Sequence, residues 1–321
     1  GINTYRGYTV ITNGTLRLDL SARTANPLLV GTNSIGSSGT LELSNTIATV
    51  DAAGTAFAGS GIGSTFWGTG TLGKTGAGYL DFWSSGGATS IKDFAGQINV
   101  IAGALASNGS DWPSGAGAMS LDVASGAYFD LRTGNVCVNG LTGSGTIGTT
   151  FSQSPVLYVG CTNASSSFSG VVQNGITAFP GYTAGGTLNL IKAGSGTITL
   201  SGANAYSGYT AITNGALAIS GAADRLPAAT FVSLANRAGV ILEMNGYNQL
   251  VRYVAGGGTT GGIITNTAAT TSQLTMNQLN CGGLTFAGAV NGNVRVLIQS
   301  STAKNVDTVA FSWTNSYPGG T

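Results

Sequence analysis

Residues 3–16, N-T-Y-R-G-Y-T-V-I-T-N-G-T-L, return without a gap as residues 204–217, N-A-Y-S-G-Y-T-A-I-T-N-G-A-L. Asn, Tyr, Gly, Tyr, Thr, Ile, Thr, Asn, Gly and Leu recur in register. Self-similarity of this length is the signature of a chain built from stacked copies of one small unit, and it constrains the fold more than any local propensity. Within residues 192–219, T-I-T-L at 197–200 and A-L-A-I at 216–219 alternate, and Ala211-Ile212 carries a further apolar pair. Alternation with period two, bounded by Gly, Asn and Ser, predicts half-buried strands. No stretch here holds a 3.6-residue period long enough for a helix.

Composition agrees with a strand-built chain whose outer face is uncharged. The 321 residues include 53 Gly, only 7% are charged, and there is no histidine. Globular domains usually carry about 25% charged residues. Outward Thr, Ser and Asn supply solubility instead, and Thr also favours strands. With 42% apolar residues and a net charge of +1, the chain is not composed like a disordered one. Its 12 basic and 11 acidic residues are scattered singly, so no basic patch offers itself to nucleic acid. There is no run of 18 apolar residues, and hence no expected membrane span. The missing histidine removes Ser/His/Asp chemistry and makes a zinc site implausible; no cofactor is expected. No secretion signal is present and the first residue is Gly1, so a mature or fragmentary form is expected.

The stretch around residue 200 resembles the autotransporter-associated β-strand repeat of bacterial surface proteins, roughly K-x-G-x-G-x-L-x-L-x-G-x-N-x-Y-x-G-x-T-x-I-x-x-G-x-L. Lys192, Gly194, Gly196, Ile198, Leu200, Gly202, Asn204, Tyr206, Gly208, Thr210, Ile212, Gly215 and Leu217 match it position by position. The resemblance implies an all-β fold, a single right-handed parallel β-helix (β-solenoid), on a bacterial cell surface or outside the cell. It implies no particular activity. With no linker, composition shift or charge run, residues 1–321 are expected to form one continuous solenoid that starts and ends inside a repeat. Circuits of roughly 20–25 residues give about 13–16 of them, and a rod of roughly 60–75 Å.

Other stretches fit the same plan. Residues 70–107 form a degenerate full repeat, with Lys74-Thr75-Gly76 matching Lys192-Ala193-Gly194. A second module at 119–148 returns at 232–246, followed by a glycine-rich loop or bulged corner at 256–262. An aromatic residue two before a glycine recurs at Phe57, Phe94, Phe168 and Phe286, and as Tyr5, Tyr206 and Tyr317. This predicts an aromatic packed at a corner and a glycine in the turn conformation that other residues resist.

Candidate sites follow from the same pattern. Asp19, Glu42, Asp81, Asp130 and Glu243 each sit between apolar residues on a strand, which points them to solvent. Solubility explains them without chemistry, so no catalytic residue is expected and the chain reads as a non-enzyme. Stacking of acids from different circuits is the one arrangement that would revive a polysaccharide-active enzyme, which ranks third. Cys137, Cys161 and Cys281 are either buried free thiols or, for the first two, a bridge between neighbouring circuits.

Asn3, Tyr5 and Tyr8 at one end and Phe311, Trp313 and Tyr317 at the other carry complementary halves of the unit. A solenoid's open ends recruit further strands, so head-to-tail stacking into an extracellular fibre is the leading expectation. The alternative is a piece of a longer adhesin passenger that displays loops to glycans or surfaces. Trp67, Trp83 and Trp112, if exposed together on one face, are its candidate glycan-facing aromatics.

Overall fold

The computed structural model describes residues 8–20, 31–46, 64–84, 87–88, 91, 93–107, 112, 119–132, 134–178, 186–278, 285–300 and 310–311. These residues are all-β, with parallel sheets of seven, five, eight, six and three strands. One small antiparallel pair, Trp83–Ser84 with Gly87–Ala88, departs from the rule. Consecutive strands enter different sheets in turn. Leu141–Gly143, Thr146–Thr149 and Val156–Val159 belong to the seven-, five- and eight-stranded sheets. Ser166–Phe168, Val171–Gly175 and Asn189–Lys192 then enter the six-, five- and eight-stranded ones. Each strand pairs with one a circuit later, from 18 positions on (Tyr128 with Thr146) to 33 (Val156 with Asn189). This arrangement is compatible with a β-helix.

The alternation read from the sequence sets the register. Ile198, Leu217, Leu242, Ile264 and Val290 pair in succession along the six-stranded sheet, all buried. Leu41, Leu72, Ile98, Leu121 and Leu141 do the same in the seven-stranded sheet. Each such side chain contributes roughly 1.5–3 kcal/mol on burial. A one-residue slip would turn a whole column outward, so the columns hold the register.

The polar residues of the repeat also have identifiable tasks. Asn204 accepts from the Val172 amide of the preceding circuit and donates to the Arg225 carbonyl of the next. The Tyr206 hydroxyl, fully buried, meets Thr210 Oγ1 at 2.7 Å; Thr210 meets Thr230, which donates to the Gly208 carbonyl. Lys192 is buried with its ammonium donating to the carbonyls of Ala193, Gly194 and Asn214. Lys74 repeats this on Thr75, Gly76 and Ala102 at 2.8–3.0 Å. Yet Lys74 is the penultimate residue of Thr71–Thr75 in the seven-stranded sheet, and Lys192 closes Asn189–Lys192 in the eight-stranded sheet. The Lys-x-Gly motif therefore fixes a kind of turn, whichever sheet the turn leaves.

The glycines correct one expectation. The left-handed conformation belongs to the Lys-x-Gly glycines, Gly76 (φ +77°) and Gly194 (φ +60°). In the aromatic-x-Gly motif the glycine is needed for space. A Cβ on Gly96, Gly170 or Gly288 would lie 1.8–2.0 Å from a carbonyl oxygen of the preceding circuit. It would also lie 2.5–2.8 Å from the Cζ of Phe94, Phe168 or Phe286, whose buried rings fold back over the glycine. The motif copies at Phe57, Tyr5 and Tyr317 lie outside the described residues.

Candidate functional site

The three candidate tryptophans do not form one exposed face. Trp67 stands outward on Ser64–Gly68 and is 49% exposed. Its register partner is Ser34, which pairs in turn with Val10, and Val10 and Tyr8 are likewise exposed. Trp112 is instead 2% exposed, with its ring 5.6 Å from Phe82 and 5.4 Å from Phe129. It is a core residue, because its indole fills the space between these two phenylalanines from different circuits. The Trp83 side chain lies outside the described residues.

The acids divide as well. Asp19, Glu42 and Glu243 reach solvent, as alternation predicts. Asp81 and Asp130 are buried, a correction to that reading. Both take outward positions on the five-stranded sheet, two strands apart across Ala106. Ile176 packs on that same outer face with Tyr79, Ala104 and Ala106, and residues 149–151 return beside it. Outward here means under a loop. Arg132 Nη1 donates to Asp81 Oδ2 at 2.5 Å and its guanidinium lies 5.4 Å from the Phe151 ring centroid. Asp130 accepts from the Tyr79 hydroxyl, the Thr150 hydroxyl and the Thr150 amide. Burial pushes the Asp130 carboxyl up, against the pull of those hydrogen bonds and of Arg132. The stacked acids thus exist, but they are enclosed and engaged in holding a loop on a sheet.

Cys137 and Cys161 are disulfide-bonded, with Cα atoms 6.2 Å apart, which decides between the two readings left open by the sequence. Cys281 lies outside the described residues. So do Asn3, Tyr5, Trp313 and Tyr317 and the side chain of Phe311; the Phe311 backbone pairs with Phe286. Tyr8 is described, and it is 76% exposed.

One outward feature was not anticipated. On the eight-stranded sheet the rings of Tyr209, Phe231 and Tyr253 form a row, with centroids 5.9 Å and then 5.0 Å apart. The second pair is stacked at 18°, and the Arg252 guanidinium lies 5.9 Å from the Tyr253 centroid. The signal was present in the repeat. Tyr209 occupies the position of Tyr8 in the first copy, just before the strand, and both point outward. What the sequence hid was the circuit length that places Phe231 and Tyr253 beside it. Among the described residues there is no group of three or more residues suited to hold a metal ion, and no helix long and apolar enough to cross a membrane.

Comparison with known proteins finds the same repeat. The family described as passenger-associated-transport-repeat matches residues 1–18 and 190–219. The chain is 36% identical over 107 residues to the Adhesin BmaC autotransporter of Brucella suis biovar 1 (strain 1330). That match covers 33% of this chain and 3% of the relative, so the chain spans a small fraction of the protein it resembles. No solved structure matches. The second matched segment is the one in which Lys192, Asn204 and Thr210 make contacts between circuits. The chain therefore carries the autotransporter-associated repeat of bacterial passenger proteins, and with it their location at the cell surface or outside the cell.

Proposed function

We propose that the chain is a non-enzymatic segment of an adhesin-type passenger. In this reading residues 1–321 form one continuous right-handed β-solenoid that carries outward side chains away from the cell. The observation behind it is the parallel pairing of each circuit with the next among the described residues, which builds length. The named relative is an adhesin autotransporter, and this favours display over self-assembly. Head-to-tail fibre growth depends on end residues outside the described ones and has no comparable support.

The test is adhesion of beads coated with the purified chain to epithelial cells and to extracellular-matrix surfaces. Binding above bare beads, with isolated short rods by electron microscopy, is the expected outcome. Beads that do not adhere would sink the adhesin reading. Long uniform fibres in the same preparation would move the function to a fibre subunit.

A further inference from the structure

The row of Tyr209, Phe231 and Tyr253 does more than the fold requires. Inward positions of these strands, Ile212, Val232, Leu234 and Val254, already fill the core. Outward positions on the neighbouring six-stranded sheet form two columns, Thr199, Ala218, Glu243 and Thr265 beside Thr197, Ala216, Ile241 and Ile263, and neither contains an aromatic ring. On the eight-stranded sheet two outward columns also run side by side, and large rings fill one of them. One is Tyr209, Phe231 and Tyr253. The other pairs Tyr158, Ile191, Ala211, Ser233 and Ala255 in succession, all half-buried. The large rings thus stand as a ridge beside a ledge floored by Ala211, Ser233 and Ala255, which Ile191 and then Tyr158 continue at one end. Neither column contains a charged side chain.

We propose that this ridge and ledge form a docking strip for an extended, uncharged polysaccharide lying along the stacking direction of the strands. Three features select that ligand class. The strip offers one similar group per strand, at 5.9 and 5.0 Å, and only a polymer with a short regular repeat can meet each of them in the same way. It is amphipathic at every step, because Tyr pairs an apolar ring with a wet hydroxyl and Ser233 adds a hydroxyl to the floor. Sugar rings have the matching character, with C–H patches beside hydroxyls. Neither column is itself charged, and the Arg252 guanidinium lies against the Tyr253 ring at one end of the row, so no charge repeats along the strip to match an acidic glycan or the salt-bridged rim of a protein partner. The small floor leaves room for a chain one sugar wide against the sides of the rings. This assignment rests on the passenger reading and names its ligand class.

Gel electrophoresis of the full chain through hydroxyethyl cellulose, glycol chitin and, as an α-linked comparator, dextran tests it directly. Retardation by at least one polysaccharide is expected, weakened roughly tenfold or more in Phe231→Ala, as for a central contact residue. Ser233→Glu, which puts a charge into the floor and removes no packing, should do the same. Both variants are checked for an unchanged far-UV spectrum and melting point, so that unfolding is not read as lost binding. Retardation that survives both substitutions, or that is lost only in Trp67→Ala, overturns the strip, since binding then lies elsewhere. No retardation in any gel overturns it too. Bead adhesion of the same variants keeps the two proposals apart: adhesion unaffected by Phe231→Ala and Ser233→Glu leaves the adhesin reading standing without the strip.

Discussion

At Gly96 the chain has room for a hydrogen atom and nothing larger. A methyl group there would meet the Gly70 carbonyl oxygen at 2.0 Å and the Phe94 ring at 2.6 Å, so the circuits would have to part. Gly96→Ala should therefore cost about 1–3 kcal/mol or more, as overpacking does. Gly126, with φ +76° and open space around it, isolates the conformational effect. Gly126→Ala should cost about 1–2 kcal/mol from the left-handed backbone alone. Urea titration of the two variants checks the order, and equal losses would mean that crowding is not the reason for the motif. The buried lysines give a prediction in pH. Burial pushes Lys74 down to about 7 and Lys192 down to about 8. The unfolded chain keeps both protons up to about pH 10.4. Between those limits the unfolded state binds more protons than the native one, so stability should rise with pH from about 7 toward 10. Tyr206 acts the other way above pH 10. Burial raises its phenol, so the native state keeps a proton that the unfolded state releases, and stability should fall again. Lys192→Met should flatten the rise. It should also lower stability at neutral pH by on the order of 1–3 kcal/mol, because three carbonyls lose their donor. Unfolding midpoints at pH 7, 8.5, 10 and 11 read both effects.

The disulfide is the covalent counterpart of these contacts between elements. Cys137 lies on Val136–Val138, whose partner is Val156–Val159, and the Cys161 amide donates to the Val138 carbonyl. The bond thus ties two strands already in register, and it closes a loop with a sequence separation of 24. A loop of that size gives roughly 3 kcal/mol by chain entropy. A Cys137→Ser/Cys161→Ser chain should lose about that much, and reductant should shift the native chain but not the variant. This element also shows where sequence reading stops. Strands at 197–200 and 216–219 were legible because period-two alternation is a local property, and both occur as expected. The disulfide could only be posed as one of two options, since circuit length decides whether two thiols meet. Asp81 and Asp130 were misread for a related reason. The pleat does turn them outward, but a loop from later circuits covers that face, and no pattern within residues 79–81 or 128–130 announces it. Trp112 had no strand pattern around it, so nothing indicated that Phe82 and Phe129 would enclose its ring. The row at Tyr209 was half visible, as a repeated Tyr, and its extension depended again on circuit length.

At the scale of the molecule, these observations make coupling local. Among the described residues every parallel pairing joins strands one circuit apart, so a disturbance there passes along the stack through successive interfaces. A compact globular core would share it at once. The two cases differ in how the chain should respond to one weakened interface near its middle. Gly170 sits at such a point, where an added Cβ would lie 2.0 Å from the Gly145 carbonyl oxygen. Tryptophans 67, 83 and 112 all precede it, so in a Trp313→Phe background tryptophan fluorescence reports one side. Trp112, enclosed by Phe82 and Phe129, should give the largest change on unfolding. Far-UV circular dichroism reports strands on both sides. In the parent chain strong interfaces should make the two urea transitions coincide. In Gly170→Ala the stack should divide, and circular dichroism should show a second transition that fluorescence lacks. A single transition, displaced equally for both probes, would mean that the two sides share one core, and the continuous solenoid would have to be abandoned.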